Sequence, residues 1–142
     1  MDSIETLFSA AVKARMNAYA PYSGFAVGAA LRTESGAIFS GANVENAAYP
    51  VGTCAESAAI AAMVLGGHRR IAEILIIGEG KALVTPCGAC RQRLREFASD
   101  DAKIHVAGTI GVRATFTLGA LLPAAFGPSI MKAGRTGDES SF

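Results

Sequence analysis

The stretch "AEILIIG", residues 72–78, constrains the fold more than any other part of the chain. Ile74, Leu75, Ile76 and Ile77 follow one another without polar alternation, the pattern of a strand covered on both faces. Helical runs flank it. Residues 53–65 are alanine-rich and stop at Gly66–Gly67. Residues 85–98, "TPCGACRQRLREFA", offer Thr85 as a cap and Pro86 at the first helical position. A doubly covered strand between two helices is a piece of a layered α/β fold.

The rest of the chain extends that pattern. Ile4, Leu7, Phe8, Ala11, Val12 and Met16 recur at helical spacing over residues 3–18. Residues 26–33 and 38–45 are β-like runs around "ESGA", a hairpin turn, with a loop from Glu45 to Gly52. Two further strands are expected over 103–108 and 112–118, then a turn of helix in "LLPAAF", residues 121–126. The order helix, two strands, helix, strand, helix, two strands predicts a three-layer α/β/α sandwich with a five-stranded mixed sheet. Right-handed parallel crossovers are expected around the central strand. Residues 1–127 read as one domain, and residues 128–142, rich in Gly and Ser, as a flexible tail.

Composition narrows the partners. A net charge of +1 provides no broad attraction to nucleic acid or to anionic membrane. Arg91, Arg93 and Arg95 resemble a basic strip, but on a helix 91 and 95 share a face while 93 points elsewhere, and Glu96, Asp100 and Asp101 dilute the charge. No apolar run reaches membrane-spanning length. The first residues, "MDSIETLFSA", are acidic where a signal peptide is basic, so the expected location is cytoplasmic. Hydrophobic residues make up 51% of the chain, which hints at contacts between subunits.

Three cysteines are present, Cys54, Cys87 and Cys90, an odd number that argues against a disulfide framework. The C-x-x-C pair of Cys87 and Cys90 is ambiguous alone, since dithiol redox centres also sit at a helix start. Cys54 opens the other helix, with one strand between the two. Neighbouring helices on parallel strands bring their N-termini to one sheet edge, where the three thiols would converge. Three protein ligands leave a tetrahedral zinc ion with one open position, the arrangement of a catalytic metal. Three thiolates around a divalent cation carry a net negative charge. Helix dipoles offset part of it, and Arg91, next to Cys90, is a candidate to offset more. Glu56 stands two residues after Cys54. It has capping-box spacing to Thr53, and beside three thiols it is also a candidate proton carrier. A redox dithiol and a zinc-stabilised module without catalysis remain open at this point.

The segments "CAE" and "PCGAC", with "AYAPYSGFAVGAAL", "GANVENAAYP", "TPCGACRQRLREF" and "LLPAAF", resemble the small zinc-dependent cytidine deaminases over residues 4–127. The resemblance implies hydrolytic deamination of cytidine and 2′-deoxycytidine in pyrimidine salvage. It assigns one zinc ion per subunit to Cys54, Cys87 and Cys90, and proton transfer to Glu56. It places Asn43 and Glu45 on the ribose, Phe25 on the base and the Ala55 backbone on the pyrimidine carbonyl. Tyr49 and Tyr22 take supporting places beside the site. It also implies a homotetramer in which Phe126 is lent to a neighbour's pocket. A deaminase of a modified cytosine nucleoside, of the blasticidin S type, is the alternative within the same fold. Position 57 departs from the pattern: Ser57 stands where many relatives have arginine. The resemblance thus leaves thiolate charge to Ser57, Arg91 and the helix dipoles.

Overall fold

A computed structural model describes residues 3–136 of the chain. Its elements in chain order are α1 (Ser3–Arg15), β1 (Gly28–Thr33), β2 (Ile38–Ala42), α2 (Ala55–Leu65), β3 (Ile71–Ile77), α3 (Gly88–Phe97), β4 (Lys103–Ala107), β5 (Val112–Thr117), α4 (Leu118–Leu121) and α5 (Pro128–Thr136). A single 3-10 turn, Tyr49–Val51, precedes α2. The five strands form one sheet in the order β2-β1-β3-β4-β5. Only β3 and β4 pair in parallel; the other neighbours are antiparallel.

The central strands β1, β3 and β4 are buried on both faces, as the unbroken run in β3 requires, while the edge strands β2 and β5 are partly exposed. Leu31, Ile74 and Ile104 align across β1, β3 and β4. They belong to a core shared with Ala59 and Met63 of α2 and Leu94 of α3. One residue along, Ala30 and Leu75 point to the opposite face, where they pack with Leu7 and Ala11 of α1. The period of two along each strand therefore sorts side chains between the helix layers. His105 shares the α1 face and is buried. Its ring nitrogens lie 2.9 Å from Thr115 Oγ1 and 2.9 Å from Glu73 Oε1. This histidine thus has a structural place remote from the cysteines.

The crossovers differ from each other. Helix α3 joins the hydrogen-bonded parallel neighbours β3 and β4. Helix α2 joins β2 to β3, which run the same way with β1 inserted between them. Both helices start after the C-terminal ends of strands running in one direction, so both begin at the same edge of the sheet. That edge is where open α/β sheets build their sites.

Gly41 sets how closely α2 can lie on β2. A Cβ there would stand 2.6 Å from Ala58 Cβ and 2.8 Å from Ala55 O. Any side chain at position 41 pushes α2 away, and with it Cys54 and Glu56. Gly41→Ala is expected to cost about 1–3 kcal/mol of stability by overpacking, read as a lower urea midpoint with an unchanged m-value.

Three local expectations need correction. The cap of α2 is Cys54, not Thr53, and the cap of α3 is Cys87, not Thr85; neither cysteine makes a side-chain capping bond. Thr53 is instead held by Val44 through two backbone hydrogen bonds of 2.9 Å each. The last helical turn of the domain comes earlier than "LLPAAF". Thr117 caps α4, accepting from Ala120 N at 3.2 Å, and Pro123 forbids continuation beyond Leu122. Finally, the segment read as a flexible tail begins with helix α5 over Pro128–Thr136, whose mixture of apolar and polar residues can repeat at helical spacing. Residues 137–142, the remainder of that expected tail, lie outside the described residues.

Candidate metal centre and active site

Two helix N-termini meet at this site. Cys54 caps α2 in an extended conformation, with φ −85° and ψ 164°. Cys87 caps α3 with φ −66° and ψ 168°, and Cys90 lies one turn further in. Cysteine is a poor capping residue. Its presence at both starts places sulfur, not a capping oxygen, at the positive end of each helix dipole, with no side-chain capping bond made. That end of a helix suits an anionic group.

The ligand atoms of Cys54, Glu56 and Cys90 all lie within 4.8 Å of one another. The sulfurs of Cys54 and Cys90 touch, yet their Cα atoms are 7.6 Å apart. Disulfides span about 4.4–6.8 Å between Cα atoms, so the backbone here is set too wide for one. It suits two thiolates facing a shared cation, and soft sulfur donors suit zinc. The residues therefore fit the metal. Cys87 is exposed and lies outside this cluster. A redox C-x-x-C would turn Cys87 toward Cys90; here the neighbour of Cys90 is Cys54.

Glu56 is 5% exposed. Burial pushes its carboxyl above the ordinary carboxylate range, against the opposing pull of its own backbone N–H and of the Arg93 cation. A shift in that direction lets the carboxyl keep its proton to higher pH than an exposed one, the direction that general acid–base work requires.

The arginine that reaches the sulfurs is Arg93. Its Nη1 lies 3.6 Å from Cys90 Sγ and 3.8 Å from Cys54 Sγ. Arg91, the expected partner, is committed elsewhere. It donates from Nε to Pro86 O at 2.7 Å and from Nη1 to Leu121 O at 2.9 Å. Helix geometry decides this. Residue i+3 from Cys90 shares its face, whereas residue i+1 is rotated about 100° away. The spacing Cys90–Arg93 was the available signal. Ser57, three residues after Cys54, brings Oγ to 3.2 Å from Cys54 Sγ.

A cleft of about 480 Å³ opens from Cys54 past Thr53 and Asn43 to Glu45, with Tyr22 and Tyr49 on its rim. The two tyrosine rings are 5.8 Å apart and tilted by 60°. Asn43 and Glu45 lie just past the end of β2 but remain extended, because Val44 bridges to both Tyr19 and Thr53. Both side chains line the cleft and also hold the loop that closes it. Asn43 Oδ1 accepts from Val27 N at 2.9 Å, and Asn43 Nδ2 donates to Phe25 O at 2.8 Å. Glu45 Oε1 accepts from the backbone N–H groups of Tyr22 and Ser23, each at 3.0 Å, and Oε2 accepts from Ser23 Oγ. These bonds, chiefly that from the Ser23 hydroxyl, keep the Glu45 carboxyl below its usual range and hence ionised. This loop-holding duty was not legible in the sequence.

Ala55 is fully buried at the first position of α2. Phe25 lies outside the cleft lining, with its ring tip beside Gly78. Phe126 is 54% exposed and stands away from the cleft of its own chain, its carbonyl accepting from Gln92 Nε2 at 2.8 Å.

The family model described as the cytidine and deoxycytidylate deaminase zinc-binding region matches residues 1–106. The chain belongs to this family. Among its curated members, the cytidine deaminase of Halalkalibacterium halodurans is 40% identical over 122 residues, covering 86% of this chain and 92% of that protein. The cytidine deaminase of Sporosarcina psychrophila is 40% identical over 123 residues, 87% of this chain and 90% of that one. The crystal structure of cytidine deaminase from Burkholderia pseudomallei superposes with a TM-score of 0.80 at 42% identity, covering 86% of this chain and 98% of that chain. That from Mycobacterium tuberculosis gives 0.75 at 37% identity, with 87% and 97% covered. The mixed sheet with its helix layers is thus the cytidine deaminase fold, and the thiol cluster lies within the family's zinc-binding region.

Proposed function

We propose that this chain is a zinc-dependent cytidine deaminase, replacing the ring amino group of cytidine and 2′-deoxycytidine with oxygen from water and releasing ammonia. The observation that carries this is the buried Glu56 clustered with the Cys54 and Cys90 sulfurs, Cys54 itself lining a cleft sized for a nucleoside. Cys54, Cys87 and Cys90 would hold one zinc ion per subunit, which would supply a water activated near neutral pH. Glu56 would move that water's proton to the ring and then to the departing amino group. The N–H of Ala55, among those a helix start leaves without an internal partner, would donate to the ring carbonyl. Asn43 and Glu45 would present their remaining hydrogen-bonding capacity to the sugar hydroxyls.

The catalytic unit would comprise residues 1–127. Phe25 would close on the base, and Phe126, exposed and outside the lining of its own cleft, would complete a neighbour's site in a homotetramer. Tyr49 would line the rim. Among the described residues no helix is long and apolar enough to cross a membrane. Thiolate ligands require a reducing compartment, which supports a cytoplasmic role in pyrimidine salvage. The test is direct: ammonia release and loss of cytidine, measured alongside zinc content per chain. Zinc-loaded protein is expected to turn over both nucleosides; zinc-loaded, folded protein that releases no ammonia from either overturns the assignment.

A further inference from the structure

Helices α2 and α3 present the same arrangement to each other. Each carries a sulfur close to its start, Cys54 in one and Cys90 in the other, and in each the residue three positions later shares the sulfur's face. On α2 that residue is Ser57, which provides one hydroxyl 3.2 Å from Cys54 Sγ. On α3 it is Arg93, whose guanidinium lies within 3.8 Å of both sulfurs. Ser57 and Arg93 line one groove between the two helices. The short serine leaves the room into which the arginine extends. Among the described side chains no other arginine takes this place: Arg91 is bound to Pro86 O and Leu121 O, and Arg95 donates to Ala98 O.

We infer that Arg93 is the charge-compensating and positioning residue of the metal centre, reaching across from α3 because position 57 on α2 offers only a hydroxyl. A cation bridging two thiolates offsets the net negative charge of a three-thiolate zinc site. It also holds both sulfurs toward one point, since the single Nη1 lies near each of them. The positions are interchangeable in principle: an arginine at 57 would approach the same sulfurs from the other helix. This inference rests on the zinc site proposed above.

The test measures zinc affinity of the full chain by competition with a chromophoric chelator, with far-UV circular dichroism to confirm folding. Arg93→Gln keeps length and loses charge, and is expected to weaken zinc binding about 10–100-fold, the usual cost of removing a group that supports metal ligands. Arg93→Lys is expected to fall between that variant and the wild type. The double variant Ser57→Arg with Arg93→Gln is expected to regain affinity, which a merely structural loss at position 93 would not allow. Wild-type affinity in Arg93→Gln overturns the inference, as does a double variant no tighter than the single one. If Arg93→Gln fails to fold, loss in Arg93→Lys equal to that of a folded Arg93→Ala overturns it. A wild-type chain that binds no zinc fails the underlying metal site, a result distinct from all of these.

Discussion

Glu56→Gln is expected to lose about 10²–10⁴-fold in turnover of cytidine, the contribution of a positioned proton carrier, while keeping its zinc. The two readouts together define the role. The carboxylate stands within 4.8 Å of the Cys54 and Cys90 sulfurs, so its position alone would also suit a ligand. If Glu56 were one, the variant would lose metal and activity together. Stability gives a third readout with a definite sign. Burial raises the carboxyl's pKa in the folded chain. A raised pKa means the folded state holds the proton more tightly, so the stabilising contribution is complete below the unfolded pKa and disappears as pH rises through the folded value. Zinc-free wild type should therefore lose stability relative to Glu56→Gln as pH rises from acid to neutral. The thermal midpoint of the variant at neutral pH is expected to match or exceed that of the wild type. A variant markedly less stable at neutral pH would contradict the burial argument.

Cys54→Ser is expected to remove both zinc and turnover. Cys54 adjoins the cleft, and its sulfur touches that of Cys90. Serine oxygen is a harder and less readily ionised donor, poorly suited to replace thiolate on zinc. Stability follows by mass action: at free zinc a thousand times the dissociation constant, binding contributes about 4 kcal/mol to the wild type. The thermal midpoint of the wild type should thus rise with added zinc, and that of Cys54→Ser should not. Cys87→Ser completes the comparison. Cys87 is exposed and outside the converged cluster. Zinc loss in Cys87→Ser with retention in Glu56→Gln assigns the third ligand to sulfur, and the reverse result assigns it to the carboxylate.

Much of this architecture was legible along the chain. The unbroken apolar run of β3 required helices on both sides, and the core does divide between α2 with α3 on one face and α1 on the other. Cys54, Cys87 and Glu56 could be placed at helix starts because glycines, prolines and helical periods are local signals. The caps were misplaced by one or two residues. Thr53 and Thr85 look better as caps than cysteine does, and only their tertiary engagements, Thr53 with Val44 and Thr85 with Arg91, show why they are not used. The α4 boundary shifted for a comparable reason, since Thr117 is an effective cap whose role depends on where β5 stops.

The amino-acid sequence by itself determined the layered fold, the thiols at two helix starts and the carboxyl beside one of them. These follow from periodicity and from residue chemistry over a few neighbouring positions. Only the tertiary structure decided that β1 lies between β2 and β3, that Asn43 and Glu45 hold the loop over their own cleft, and that Arg93 rather than Arg91 faces the sulfurs. Each of these depends on which way a side chain points once distant segments have packed. Cys54 and Cys90 are 36 residues apart in the chain. How closely α2 lies on the sheet is limited by the contact of Gly41 with Ala55 and Ala58, which no local pattern shows.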